Sequence, residues 1–132
     1  MKKVLLSLFG AMLIVGSSAG AAFASGDTPD RANKITLSIE TGYVSGTDVD
    51  YWYFIPDRSG SYRIQLTGLE QDADLYLYDK FGNDLWELGK SEKSGIKNEE
   101  IIYNLDQGTK YYIKVESHNG VRTPYTLDID RN

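Results

Sequence analysis

Two aspartates that lie two residues apart are the best candidates for ion chemistry in this sequence. Asp48 and Asp50 occur in "GTDVDYWYF", where a polar stretch meets an aromatic run. Calcium takes six to eight oxygen ligands and tolerates loose geometry, so an Asp-x-Asp pair in a loop suits it. Aspartates at such places also cap turns by accepting hydrogen bonds from backbone N–H groups. The pair alone favours turn capping and leaves a cation site open.

The sequence offers little to a catalytic mechanism. Its single histidine, His118, precedes Asn119-Gly120, which predicts a hairpin tip, and it has no cysteine. One histidine without cysteine cannot form the usual closed zinc sites. No Gly-x-Ser-x-Gly elbow or glycine-rich phosphate loop is present. The 19 acidic residues formally allow a carboxylate pair for sugar hydrolysis, but abundance alone does not indicate one. We therefore expect no enzyme.

Tyrosine, with ten copies, is the other residue type that could carry function. Alternation with apolar neighbours places Tyr62 and Tyr111 in the predicted core. The same alternation in "DLYLYD" and "TKYYIKV" predicts that Tyr76, Tyr78 and Tyr112 face solvent. Outward tyrosines on strands can be cross-strand packing pairs. They can also form a binding face, because tyrosine gives a large contact area at a small entropic cost. These three are the candidate ligand-binding residues.

Short strands are the elements that must position these side chains. Apolar and polar residues alternate with a period of two through most of the chain after Lys34, and no apolar helical period persists there. Turn sequences such as Phe81-Gly82-Asn83, Gln107-Gly108 and Asn119-Gly120 separate the runs. Seven to eight short strands with frequent turns predict an all-β fold, an antiparallel β-sandwich.

The first 24 residues have the features of a secretory signal peptide. Lys2 and Lys3 precede an apolar run, and small residues follow with Ala22-Phe23-Ala24 as the cleavage pattern. The run is shorter than the about 20 residues of a membrane helix. We therefore predict a secreted, extracellular protein with no membrane attachment after cleavage. Residues 25–34 are a polar N-terminal arm, and residues 35–132 form the domain.

The charge of the chain excludes one class of partner. The formal net charge is −5, and loss of Lys2 and Lys3 with the signal makes it more negative. Nucleic acid binding depends on neutralising phosphates, so we expect no nucleic acid partner. We expect the mature protein to be a monomer, without disulfides to staple it.

Five segments follow one another in an order that resembles a known family. They are "DTPDRA", "GTDVDYWYFIPDRSGSYRIQLTGL", "DADLYLYDKFGND", "GTKYYIKVESHNG" and "YTLDI". From about Asp27 to Ile129 the chain is similar to the bacterial pre-peptidase C-terminal (PPC) domain family, related to the collagen-binding domains of clostridial collagenases. The resemblance implies a jelly-roll-like β-sandwich with Trp52 and Phe54 pointing inward. Such domains usually trail a secreted protease. We expect no protease in this chain, and therefore a domain that acts alone or serves a partner encoded elsewhere.

The resemblance also implies a calcium site. Collagen-binding relatives use acidic residues of an N-terminal arm together with aspartates of the loop before the aromatic strand. Carried over, this predicts Asp27, Asp30, Asp48 and Asp50 as calcium ligands, although the arm here is shorter and less acidic. In the same relatives aromatic residues on the sheet engage the ligand, in the region of "TKYYIKV".

These observations predict a secreted, non-catalytic binding module that engages an extracellular polymer or protein, such as collagen-like or cell-wall material. The alternative is an accessory or inhibitor-like partner of a secreted hydrolase. An enzyme would need a carboxylate pair in a cleft.

Overall fold

The computed structural model describes residues 26–132, which form two β-sheets packed face to face. The predicted signal peptide lies outside the described residues. A 3₁₀ turn at Pro29–Arg31 precedes nine strands in this part of the chain. The strands are β1 (Asn33–Lys34), β2 (Ile39–Val44), β3 (Val49–Phe54), β4 (Gly60–Thr67), β5 (Ala73–Phe81), β6 (Asp84–Ser91), β7 (Glu99–Leu105), β8 (Tyr111–Ser117) and β9 (Thr123–Arg131).

The strands divide into a four-stranded and a five-stranded sheet. The four-stranded sheet has the order β2-β9-β4-β7, and the five-stranded sheet has the order β1-β3-β8-β5-β6. All pairs are antiparallel except β1 with β3, which is parallel. The predicted all-β sandwich is confirmed, and the two-residue strand β1 brings the strand number above the predicted seven to eight.

Most connections carry the chain from one sheet to the other. Within residues 26–132 only β5 and β6 follow each other in the same sheet, joined by the turn at Gly82-Asn83. The hairpin predicted at Asn119-Gly120 is wrong, because β8 and β9 lie in different sheets, and the turn at Gln107-Gly108 likewise joins strands of different sheets. The turn chemistry itself is present, since Gly108, Asn119 and Gly120 all have positive φ. A turn sequence fixes a reversal of the backbone, not the sheet that the next strand joins.

The core fills the space between the sheets. Each long strand turns alternate side chains inward, as a half-buried strand must. Trp52 and Phe54 of β3 are buried, as predicted, and the Phe54 ring meets that of Tyr62 edge-on at 5.3 Å. The largest fully buried side chains are Ile35, Tyr62, Ile64, Leu66, Leu75, Leu77, Glu99, Leu105, Ile113, Tyr125, Leu127 and Ile129.

Within the described residues there is no helix of the length and apolar character that crossing a bilayer requires.

Candidate calcium site and tyrosine–lysine face

The N-terminal arm is attached to the beginning of β3 by backbone hydrogen bonds. The Tyr51 N–H donates to the Gly26 carbonyl at 2.6 Å, and the Gly26 N–H donates to the Arg31 carbonyl at 2.7 Å. Gly26 is buried and has a φ of +88°, a conformation in which a side chain would be strained. The arm therefore folds back on itself, and this fold brings Asp27 to the entrance of β3.

Three of the four predicted metal ligands meet there. One carboxylate oxygen from each of Asp27, Asp48 and Asp50 lies within 4.8 Å of the others. Asp27 comes from the arm, whereas Asp48 and Asp50 come from the loop and strand after β2. Asp27 and Asp48 also line an open depression of about 510 Å³ together with residues 45–47 and Val49. The site is thus open to solvent on one side and closed by the fold on the other.

Electrostatic repulsion is built into this cluster. Burial, together with the charges of Asp48 and Asp27, raises the pKa of Asp50 to about 7. Burial and the proximity of Asp27 raise the pKa of Asp48 as well. The charged groups that act on Asp50 are both negative, so a proton or a cation would relieve the repulsion among the three carboxylates.

A buried hydrogen-bond chain holds Asp50 in place. The Trp52 indole Nε1–H donates to Tyr125 Oη at 3.0 Å, and Tyr125 Oη donates to Asp50 Oδ2 at 2.5 Å. Burial raises the pKa of Tyr125 well above its usual value, with a further contribution from Asp50. Gly42 makes room for this chain, because a Cβ there would lie 2.5 Å from Tyr125 Oη. Tyr125 and Gly42 thus belong to the site although neither carries a carboxylate.

Asp30 does not join the cluster. The 3₁₀ turn directs it toward β5, where it forms an exposed ion pair with Lys80 at 3.1 Å between Nζ and Oδ1. The expectation that Asp30 completes the ligand set is therefore wrong in this geometry.

The remaining three carboxylates fit a calcium ion in their chemistry. Three carboxylates offer up to six oxygens, and calcium accepts ligands from carboxylates, carbonyls and water in variable geometry. Asp27, Asp48 and Asp50 would hold the ion. Nitrogen and sulfur ligands, which transition metals prefer, do not occur in this cluster.

A row of tyrosines and lysines covers the outer side of the five-stranded sheet. We call it the tyrosine–lysine face, and its members are Tyr53, Tyr76, Tyr78, Lys80, Lys110, Tyr112 and Lys114. Register places Tyr53 opposite Tyr112, and Tyr112 opposite Tyr78. The Tyr76 and Tyr78 rings stack at 6.3 Å, and the Lys114 ammonium lies 4.4 Å from the Tyr76 ring centroid. Tyr76 also donates from its hydroxyl to Glu92 at 2.5 Å.

Tyr112 points to this outer side, as predicted, but it is not exposed. Only 5% of it is accessible, so its predicted exposure to solvent is wrong. Lys80 and Lys110 lie 5.7 Å and 5.6 Å from its ring centroid, and tyrosines flank it on both neighbouring strands. Tyr76 and Tyr78 are half-buried and remain accessible to a ligand.

The lysines of this face and the tyrosine behind Asp50 were not predicted from the sequence. Lys114 lies two residues after Tyr112 in "YYIKV", and Lys80 lies two residues after Tyr78 in "LYDK". Residues two apart on a strand share a face, so a lysine on the tyrosine side could have been inferred from the sequence. Tyr125 lies 75 residues from Asp50, and no local pattern relates the two positions.

The single histidine, His118, lies in a turn and contacts a buried aspartate. His118 lies in the turn between β8 and β9, with Nδ1 3.5 Å from Oδ2 of buried Asp74. The Gly120 carbonyl in the same turn accepts a hydrogen bond from the Gly46 N–H at 2.8 Å. This turn therefore supports the loop that carries Asp48.

Comparison with known proteins gives one family and a set of similar folds. A sequence model of the bacterial pre-peptidase C-terminal domain matches residues 48–117. No curated protein sequence matches the chain significantly.

Solved structures with the same fold come from several bacteria. The pre-peptidase C-terminal domain of a Bacillus anthracis collagenase is 22% identical, with a TM-score of 0.62 over 78% of this chain and 98% of that one. Aeromonas hydrophila PliG, a periplasmic inhibitor of g-type lysozyme, is 13% identical, with a TM-score of 0.59 over 76% and 97%. The Yersinia pseudotuberculosis-derived mitogen is 19% identical, with a TM-score of 0.55 over 72% and 85%.

Proposed function

Since this chain belongs to the bacterial pre-peptidase C-terminal domain family, we propose that it is a secreted, non-catalytic binding module. Its tyrosine–lysine face engages an extracellular polymer or protein, and calcium fixes its N-terminal arm. The observation that carries the binding role is the continuous row of ring faces, hydroxyls and ammonium groups across three neighbouring strands.

The shape of this face suits an extended ligand. It lies across the outer surface of a sheet, where a polymer chain can contact several side chains in succession. Tyrosine hydroxyls and lysine ammonium groups donate hydrogen bonds to carbonyl and hydroxyl oxygens, while the rings pack against apolar carbons. A collagen-like triple helix and a cell-wall polymer both present oxygens along a regular, extended backbone. The face therefore supports a polymer ligand better than a small molecule.

Calcium would act on the domain rather than on the ligand. Bound calcium would supply positive charge between carboxylates that otherwise repel. Asp27 would then tie the arm to the loop that contains Asp48 and to the strand that contains Asp50. The backbone hydrogen bonds of Gly26 already direct the arm there, so the ion would strengthen an existing contact.

Binding to insoluble polymers tests the proposal directly. The full chain is produced with its own N-terminal segment, recovered from culture supernatant, and mixed with insoluble collagen, chitin or purified cell wall. We expect retention on one of these materials and its loss in the double variant Tyr76→Ser/Tyr78→Ser. Tyr43→Ser is the matched control, because Tyr43 is a 56% exposed tyrosine on the four-stranded sheet. Equal retention of all three proteins would contradict the proposed face.

A partner role toward a secreted hydrolase is the second candidate. The Aeromonas protein of the same fold is described as a lysozyme inhibitor. In this chain the exposed Phe81–Trp86 ring pair offers an apolar contact of the kind found in protein interfaces. Pull-down of soluble proteins from the same supernatant, with no retention on any polymer, would favour this candidate.

A further inference from the structure

The β5–β6 hairpin carries two exposed aromatic side chains near its tip. Phe81 ends β5 and Trp86 lies in β6, with exposures of 59% and 62%. Their rings contact each other edge-to-face at a centroid distance of 5.9 Å and an angle of 84°. Two large rings that meet each other and otherwise face water form a distinct surface feature.

These rings lie on the inner side of the hairpin, the side that faces the core in the part of the hairpin farther from the tip. Alternate residues of β5 turn to the same side, which assigns Phe81 to the side of Leu75 and Leu77. Trp86 pairs with Asp79, which belongs to this same series. The facing sheet covers this side at Gly89, where Ile101 Cγ2 would lie 3.1 Å from an added Cβ. The facing sheet does not extend to the hairpin tip, so the inner side of the hairpin is exposed to solvent there.

Carboxylates accompany the two rings. Asp79 precedes Phe81 on the inner side of β5, and Asp84 lies opposite Phe81 on β6. Among the described residues neither Asp79 nor Asp84 has a lysine or arginine at ion-pair distance. The neighbouring Lys80 points to the other side of the strand, where it pairs with Asp30. The inner side of the tip is therefore aromatic and negatively charged.

We propose that this inner side of the hairpin tip is a docking site for an arginine-bearing extended segment of a partner protein. A guanidinium placed over the Trp86 indole gains cation–π attraction, and Asp79 and Asp84 supply the negative charge that it pairs with. Phe81 provides the apolar floor for the neighbouring side chain of the segment. Charge complementarity selects the occupant, because an acidic or neutral segment leaves both carboxylates without a cationic partner, although Asp79 Oδ1 accepts a hydrogen bond from the Lys80 backbone N–H at 2.8 Å.

This site is separate from the tyrosine–lysine face. Tyr76 and Tyr78 lie on the outer side of the same hairpin, with parity opposite to that of Phe81. Loss of one binding activity therefore leaves the other intact, and the two proposals stand or fall independently.

The two tryptophans of the chain allow a direct test by nuclear magnetic resonance. Trp86 is exposed, whereas Trp52 is buried and its Nε1–H is bonded to Tyr125. The probe is the capped tetrapeptide Arg-Leu-Arg-Leu, titrated into the full chain, and its control is the same peptide with citrulline in place of arginine. We expect the indole resonance of Trp86 to shift in a saturable manner and that of Trp52 to stay fixed.

Variants separate charge from fold. Asp79→Asn/Asp84→Asn should lower the affinity for the arginine peptide by about tenfold and leave the affinity for the citrulline peptide unchanged. Ile96→Ser, at another exposed apolar residue, is the matched control for Phe81→Ser, which should weaken binding. Tyr76→Ser/Tyr78→Ser should bind the peptide normally. Equal binding of both peptides, or shifts confined to the tyrosine–lysine face, would overturn the proposal.

Discussion

At the scale of single residues, Asp50 joins the core to the candidate calcium site. One of its carboxylate oxygens accepts a hydrogen bond from the Tyr125 hydroxyl, and the Tyr125 oxygen accepts a hydrogen bond from the Trp52 indole N–H. Removal of Tyr125 leaves the buried Trp52 Nε1–H and the Asp50 carboxylate without this partner, which costs about 1–3 kcal/mol. The orientation of the Asp50 carboxylate is thus set by two side chains of the sandwich core.

The raised pKa of Asp50 predicts a pH dependence of stability in the calcium-free protein. Its folded pKa of about 7 lies above the value of about 3.9 for an unfolded chain. The contribution of a group with a raised pKa is complete below the unfolded pKa and is lost as pH rises through the folded pKa. We expect the melting temperature of metal-free protein to fall relative to Asp50→Asn between pH 4 and 7. Parallel melting curves for the two proteins across this range would contradict the prediction.

The proposed set of calcium ligands predicts different changes in calcium affinity for a loop aspartate, Asp48, and an arm aspartate, Asp30. Asp48→Asn should lower calcium affinity by about an order of magnitude or more, because the ligand charge at the site decreases. Asp30→Asn should leave the affinity unchanged, because Asp30 pairs with Lys80 instead. Isothermal titration calorimetry measures both. An equal loss in the two variants would mean that calcium draws Asp30 into the site.

At the scale of elements, β2 and β9 approach each other closely beside the site. Gly42 of β2 pairs with Tyr125 of β9, and the tyrosine ring lies over the glycine. A Cβ at position 42 would come within 2.7 Å of Tyr125 Cζ as well as 2.5 Å of its hydroxyl. The pairing of these two strands and the orientation of Asp50 therefore depend on the same glycine.

Gly42→Ala should consequently affect both stability and calcium binding. Overpacking of this kind typically costs about 1–3 kcal/mol, and displacement of the Tyr125 ring would break its bond to Asp50. Urea denaturation and calcium titration measure the two effects. Thr41→Ala, an exposed position on the same strand, is the control and should change neither. A stable Gly42→Ala protein with normal calcium affinity would show that Tyr125 can move without consequence.

Alternation in the sequence predicted the elements well, because it is a local property of a half-buried strand. Leu75 and Leu77 are fully buried, as the alternation requires. Ile39, which alternates with polar neighbours in the same way, is 65% exposed. It begins the edge strand β2, where local pattern says nothing about whether a facing sheet covers the position. The wrong hairpin at residues 119–120 has the same origin, because sheet membership depends on distant residues.

The candidate site was predictable in part. Family resemblance brought Asp27 together with Asp48 and Asp50, which are more than 20 residues away in sequence. It could not foresee the 3₁₀ turn that sends Asp30 to Lys80. Parity gave the side on which Tyr112 lies, but not the packing of Lys80 and Lys110 over its ring.

At the scale of the whole molecule, calcium would link the N-terminal arm to the sandwich. A ligand that binds only the folded state stabilises it by about 2.7 kcal/mol at a hundred times its dissociation constant. We expect calcium to raise the melting temperature and to protect the arm from proteolysis. The arm is already hydrogen-bonded at Gly26 and paired through β1, so the protein should remain folded without the ion. Identical melting curves in calcium and in chelator would leave the aspartates as turn caps.

The alternation of the chain between two sheets has a consequence for how the domain folds. Within the described residues, β5 and β6 are the one pair of successive strands that pair with each other, so only this hairpin can form from local contacts. Every other pair joins strands that are not successive in the chain, and each such pairing costs loop-closure entropy before its contacts compensate. Domains with this kind of topology fold in about milliseconds to seconds. We therefore expect a slow-folding chain, which agrees with the proposed secretion, because a chain must stay unfolded while it passes through a membrane channel.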